Sequence, residues 1–361
     1  MRARCRRDVE LGGGAALSGV LTQDWPALWA IIAFVSAGAL TVAASVRLVG
    51  LGDTLADRTG WGEAFFGAVF FGLVTSLSGI VMTGVSAAAD QPALAYSNAV
   101  GGIAVQTLAI VIADMAYRRV NLEHAAAWEH NLLFGCLLIF LLSTALLGSF
   151  GPDVAVLGVH PVSAVLVVVY LGGLKLIRDQ RQVMWTAVTT RDTRVDQPDE
   201  GGRFGERTTA SLWSEFLAIA SVVVVGGWAV AHAAESLVVA TGLNAGFVGA
   251  VLMGVVNALP ETVTALIAVR RGALTLAVAA VIGGNSLDVL NLVVGDVAFG
   301  HGSLYHAAGA DQLFLTTAAL LMTTALLGGL LVRQRGGWWR VGFDGVLLML
   351  IYLAAVVTLY F

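Results

Sequence analysis

Two carboxylates in this chain stand where carboxylates are costly. Glu261 closes the segment Asn257-Ala258-Leu259-Pro260-Glu261, Asp288 closes Gly283-Gly284-Asn285-Ser286-Leu287-Asp288, and both segments lie well inside long apolar runs. A charged side chain at the centre of a bilayer costs roughly 2.5–3.5 kcal/mol on insertion scales, so one that is kept there marks a functional position unless water can reach it. Pro260 lacks a backbone donor, which predicts a helix broken around Asn257 with carbonyl oxygens beside Glu261. Gly283-Gly284 predicts a close helix approach that aims Asn285, Ser286 and Asp288 at the same cavity. Oxygen donors of this kind suit hard cations such as Na⁺ or Ca²⁺. Two carboxylates in one dry cavity also repel each other and favour a shared proton, which adds H⁺ to the ions such a site can hold. One geometric difficulty is visible: Glu261 lies 11 residues before the turn at Gly272 and Asp288 lies 16 after it, a mismatch of about 8 Å at helical rise.

The elements that must position these residues follow from composition and length. Of 361 residues, 58% are apolar and only 12% charged, and mean hydropathy is +0.84. So little polar surface excludes a water-soluble fold and leaves the lipid bilayer as the main solvent. Ten apolar runs of membrane-spanning length are predicted as helices near 27–46, 62–86, 93–116, 131–148, 154–176, 212–234, 246–268, 273–295, 313–332 and 341–361. The fold expected is an all-α polytopic membrane protein of ten transmembrane helices. Its parts are an N-terminal tail (1–26), five helices (27–177), a polar cytoplasmic linker (178–210) and five more helices (211–361). Sixteen of the twenty Lys and Arg residues fall on one side of this arrangement. The positive-inside rule then predicts a multi-pass protein of the cell membrane with both termini outside. Scattered basic residues and a net charge of −4 give no nucleic-acid signature, and Cys5 and Cys136 form no disulfide framework or metal motif.

Because five is odd, the second set of helices enters the membrane in the opposite sense, which predicts two inverted five-helix repeats. Sliding the sequence by 182 residues aligns Thr75 to Asp114 with Asn257 to Asp296 without a gap. The shared positions include the glycine pairs Gly101-Gly102 and Gly283-Gly284, and the aspartates Asp114 and Asp296. The aligned segments are spans two and three and spans seven and eight, where a site between repeats is built.

Asn-Ala-Leu-Pro-Glu followed by Gly-Gly-Asn-Ser-Leu-Asp resembles the second α-repeat of the sodium/calcium exchanger (cation/Ca²⁺ antiporter) superfamily, whose ten-span, five-plus-five layout is also similar. The resemblance implies that Glu261 is the ion-coordinating glutamate, that Asn257 and Ala258 stand for the adjoining Thr-Ser pair, that Gly284 and Asn285 stand for Ser-Asn, and that Asp288 is the last ligand. The first repeat departs from the pattern. Thr75-Ser76-Leu77 is kept, but Pro-Glu has become Ser78-Gly79, and Gln106 stands at the ligand position. The implied cation-binding set is therefore Glu261, Asp288, Asn257, Asn285, Ser286, Thr75, Ser76 and Gln106, with Glu261 and Asp288 as the charged metal ligands.

The resemblance implies a secondary active cation antiporter working by alternating access, with Ca²⁺, Na⁺, K⁺ or H⁺ as substrates and no cofactor. Two other readings stand beside it: a monovalent cation (Na⁺ or K⁺)/H⁺ antiporter, or a non-transporting membrane subunit derived from an exchanger. An enzyme is not expected, because no HExxH or GxSxG motif occurs in any span. His232 and Glu235, three apart on one helical face, are candidates for a proton relay or, alternatively, interfacial caps. Asp114 and Asp296 are expected to serve structure or a vestibule.

Overall fold

The computed structural model describes residues 25–59, 73–117, 121–125, 129–156, 158–179, 207–271, 274–334 and 341–361. Residues 1–24 of the N-terminal tail, most of the linker and the first part of span two lie outside the described residues. In order the helices are α1 (Ala27–Thr59), α2 (Leu77–Ala88), α3 (Pro92–Ala116), α4 (Leu122–Ala125), α5 (Glu129–Gly148), α6 (Pro161–Asp179), α7 (Thr209–Thr241) and α8 (Ala245–Phe247). A π-helical segment (Val248–Met253) leads into α9 (Gly254–Arg271), followed by α10 (Leu274–Asp288), α11 (Asn291–Ala298), α12 (Ala310–Val332) and α13 (Phe343–Tyr360). Among the described residues, nine helical stretches are long and apolar enough to cross a bilayer, and α2 is a shorter apolar helix. Leu147, Val168 and Leu176 point outward, as expected when lipid replaces water around the bundle.

The central body is α2, α3, α9, α10 and α11. Helix α3 packs along α9 and the π segment, and α1 and α7 lie lengthwise against each other on one side. Helix α7 touches α2 while α1 touches α9, and α5 touches α10 while α12 touches α3, so each contact made by one half has its counterpart in the other. The hydrophobic cores form between these layers, one around Tyr96, Leu141 and Leu304, another around Ile110, Val278 and Ile282. The approach of α3 to the π segment is close enough that a methyl group at Gly101 would overlap the backbone of Ala250.

The repeat is also written in hydrogen bonds. Asp114 Oδ1 accepts from the backbone N–H of Leu122 at 2.7 Å and the carboxylate also faces the N–H of Gly342. Asp296 accepts from Leu304 N–H at 3.0 Å and His160 N–H at 2.8 Å. Each donor pair is separated by the same 182 residues that relate the two aspartates. Both carboxylates therefore tie the ends of the following loop and of the last helix in the opposite half, a structural role.

Two backbone expectations are corrected. Span seven does not break at Asn257: α9 runs through Pro260 as one helix. The Val256 carbonyl that Pro260 leaves without its helical donor sits three residues beyond the end of the π segment. Thr262 Oγ1 and Thr264 Oγ1 donate to the carbonyls of Ala258 and Pro260, both at 2.7 Å, and hold the surrounding turns. The interruptions fall elsewhere. A turn at Ser76 precedes α2, and span eight is divided at Val289 and Leu290, immediately after Asp288.

Candidate cation site at the repeat interface

Each helix delivers its polar side chains to the contact between halves for a local reason. Helix α10 ends at Asp288, so that carboxylate stands at a helix terminus, and its Oδ1 accepts from Asn291 Nδ2 of α11 at 3.3 Å. Glu261 comes from the face of α9 that meets α3, and the two carboxylates interact electrostatically across the site. Gln106, the repeat mate of Asp288, projects from α3 and lies beside both of them. Ser76, at the turn before α2, lies beside Asp288. Asn257 of α9 reaches into a gap created by two missing side chains: a methyl group at Gly79 or at Gly102 would overlap its carboxamide. Gly79 is the repeat mate of Glu261, so the space that a second glutamate would leave from the first half is filled by an amide from the second.

These groups are deeply buried and largely without protein partners. Asn257, Asp288, Gln106 and Asn285 have no exposed surface, Ser76 retains 1% and Glu261 7%. Both Glu261 oxygens, Asp288 Oδ2, both polar atoms of Asn257 and Asn285 Oδ1 have no well-formed hydrogen bond, and the approaches of Gln106 to both carboxylates and of Ser76 to Asp288 are too long or too oblique to supply one. Buried polar groups are ordinarily paired, and a buried carboxylate without a partner is among the most costly arrangements a protein can hold. Clustered around two negative charges, these oxygens form a ligand set for a cation.

Not every residue of the sequence-derived set arrives there in the same way. Asn285 Nδ2 donates to Thr107 Oγ1 of α3 at 3.0 Å, leaving its oxygen unpaired. Thr75 is buried next to Ser76. The Ser286 hydroxyl bonds Ile282 O at 2.9 Å and faces Phe134 O of α5, so it is turned from the other ligands. His232 and Glu235 are near the bundle end where Trp25 and Phe361 lie, with Nδ1 and Oε2 3.7 Å apart. The imidazole stacks on Trp228 and meets Trp25 edge-on. Sequence reading missed Thr107, Asn291 and Asn98, which support the site from α3 and α11. Asn98 donates to Gly79 O at 3.3 Å and Thr83 Oγ1 at 2.9 Å. The pair Ser97-Asn98 in an otherwise apolar helix was the available signal.

Comparison with known proteins bears on this geometry. The family model described as "Sodium/calcium exchanger protein" matches residues 29–177 and 211–361. No curated protein sequence matches the chain. Among solved structures, an H⁺/Ca²⁺ exchanger, CAX, aligns at 14% identity with a TM-score of 0.68, over 96% of this chain and 85% of that one. Native YfkE aligns at 15% identity with a TM-score of 0.63, over 96% of each chain. The sodium-calcium exchanger NCX_Mj, soaked with Na⁺ and Sr²⁺, aligns at 16% identity with a TM-score of 0.56, over 92% of this chain and 99% of that one. At these identities the structures establish the shared fold, while the family model spans both halves of the chain. The chain is therefore a multi-pass membrane protein of the sodium/calcium exchanger family, a family of transporters and not of enzymes.

Proposed function

We propose that this protein is a secondary active cation antiporter whose ion site is formed by Glu261, Asp288, Gln106, Asn257 and Ser76, with Asn285 and Thr75 at its edge. The observation that carries the reading is the cluster of buried, unpaired oxygens around two carboxylates where the halves meet. Alternating access follows from the layout: α1 and α7, packed on each other, move against the body of α2, α3, α9, α10 and α11, which holds the site. The arginine-bearing end, with Arg47, Arg58, Arg207 and Arg270, is assigned to the cytoplasm by the positive-inside rule. The end carrying Trp25 and Phe361 then faces outward.

The charge of the site supports Ca²⁺ exchange against monovalent cations. Two carboxylates balance one divalent ion or two monovalent ions, Na⁺ or H⁺, within a dry cavity. CAX is described as an H⁺/Ca²⁺ exchanger and NCX_Mj as a sodium-calcium exchanger, and both couplings fit this count. A second reading, monovalent cation/H⁺ antiport, is favoured by one residue: Gly79 supplies no carboxylate from the first half. Purified protein in vesicles, assayed for Ca²⁺, Na⁺ and K⁺ flux with and without a pH gradient, separates these readings. Ca²⁺ flux lost in Glu261→Gln and Asp288→Asn supports the first, and Na⁺ or K⁺ flux coupled to H⁺ without Ca²⁺ flux supports the second. Absence of any flux in the wild type, or full flux in both variants, rejects the site.

A further inference from the structure

At the end where Trp25 and Phe361 lie, the loop between α5 and α6 in the first half meets the loop between α11 and α12 in the second through a pair of imidazoles. His306 Nε2 lies 2.9 Å from Gly151 O, and His160 Nε2 lies 3.3 Å from Pro152 O. A carbonyl oxygen only accepts, so in both rings Nε2 carries the hydrogen. The remaining nitrogens differ. His160 Nδ1 accepts from Val162 N–H at 3.2 Å, which caps the first turn of α6 and leaves both nitrogens of that ring in use. His306 Nδ1 is buried without a hydrogen bond, and Asp153 Oδ1 lies 3.7 Å from it.

A neutral His306 therefore sets a lone pair against a carboxylate, an acceptor facing an acceptor. One proton on Nδ1 converts the same contact into a charge-assisted pair. Among the described residues, the titratable groups around His306 are Asp153 from the α5–α6 loop, His160 with its ring centroid 5.1 Å away, and the neighbouring Tyr305. Asp296, behind them, is taken up by Leu304 N–H, His160 N–H and Ser163 Oγ. His301 of the same loop faces Asp90 at 3.3 Å. A proton on His160 would displace the Val162 bond and set positive charge at a helix N-terminus, so the geometry offers the proton one place, His306 Nδ1.

We propose that His306 is a proton-operated clasp between the two halves at this end. Protonated at acid pH, it holds Asp153 and Gly151 together and fastens the α5–α6 loop to the α11–α12 loop. Deprotonated as pH rises, it releases Asp153, and the α5–α6 loop loosens. Histidine suits the task because its charge changes between about pH 5 and 8. The clasp draws on neither Glu261 nor Asp288, so it stands whether or not the protein transports cations.

The test is hydrogen exchange read by mass spectrometry on the full-length protein in lipid nanodiscs at about pH 5.5 and about pH 8, corrected for the intrinsic exchange rate. The N–H groups of Val154, Val156 and Val159 are bonded within the loop and report its opening. The clasp predicts several-fold stronger protection of these amides at the lower pH. His306→Gln should make protection equal at the two pH values. Asp153→Asn, at an exposed position, offers an N–H to the neutral ring and should raise protection at the higher pH above that of the wild type. Wild-type protection that is equal at both pH values, or stronger at the higher one, overturns the clasp. So does a pH effect that persists in His306→Gln, or protection in Asp153→Asn that stays at or below the wild-type level at the higher pH. Should His306→Gln fail to fold, the wild type and Asp153→Asn still decide the question.

Discussion

The first and second halves of this molecule agree in scaffold and disagree in chemistry. Asp114 and Asp296 face equivalent backbone N–H groups at equivalent places, those of Leu122 and Gly342 in one case and of Leu304 and His160 in the other. At the site the correspondence fails. Glu261 faces the place of Gly79, Asp288 is answered by Gln106, and Asn257 fills what Gly79 leaves open. The backbones differ as well: the second half is divided immediately after Asp288, whereas α3 runs unbroken through Gln106, and the first half has its turn at Ser76 while α9 runs through Pro260. Symmetry is thus kept where it closes the fold and given up where ions are proposed to bind. The second half carries the charge, and the first supplies neutral oxygens and room.

The largest expected effect tests the close approach on which both halves depend. Gly101→Ala places a methyl group on the Ala250 backbone and should destabilise the protein by about 3 kcal/mol, since a packed backbone cannot move aside. Thermal unfolding in detergent reads this as a clearly lowered midpoint, and an unchanged midpoint would show that α3 and the π segment are not in contact.

Next comes the symmetric pair. Asp296→Asn and Asp114→Asn each remove charge from a carboxylate that accepts backbone donors, and each should cost about 2 kcal/mol in the same unfolding measurement. Neither should change the ion preference of transport. A large loss from one and none from the other would refute the structural equivalence of the halves.

A smaller effect isolates the site's asymmetry. Gly79→Ala pushes on the Asn257 carboxamide, a flexible side chain, and should cost about 1–2 kcal/mol; in the Asn257→Ala background most of that cost should vanish. Additive losses in the double-mutant cycle would mean that Asn257 does not occupy the space beside Gly79. The smallest effect belongs to Arg47→Gln, which breaks the exposed ion pair with Glu215 and should leave the unfolding midpoint nearly unchanged. A greater loss would indicate that α1 and α7 are held together by charge more than by their apolar contact.

Much of this arrangement could be read from residue types alone, and for a physical reason. A carboxylate in an apolar span stands out because its insertion cost is high, so Glu261 and Asp288 were conspicuous. Span lengths are similarly legible, because the bilayer fixes how many residues a helix needs. Amides and hydroxyls cost much less, and in a helix they look the same whether they bond a backbone carbonyl, as Ser286 does, or support an ion site, as Asn98 and Thr107 do. Proline at position 260 suggested a break because its lost hydrogen bond is visible in the sequence. The π segment and the threonines that hold the neighbouring carbonyls involve several residues at once, and the division of span eight after Asp288 carries no proline to mark it. That Asn257 lies against Gly79 is a contact between halves, which no local pattern encodes.

The central claim is that the charge of the ion site resides in the second half, with its repeat mate in the first half neutral. Uptake of radiolabelled Ca²⁺ by vesicles containing Asp288→Asn or Gln106→Asp tests it at one pair of repeat-related positions. The account predicts that Asp288→Asn abolishes uptake and that Gln106→Asp, which adds a third carboxylate, sustains it and tightens the apparent affinity for Ca²⁺. Uptake that survives Asp288→Asn and is abolished by Gln106→Asp would contradict it.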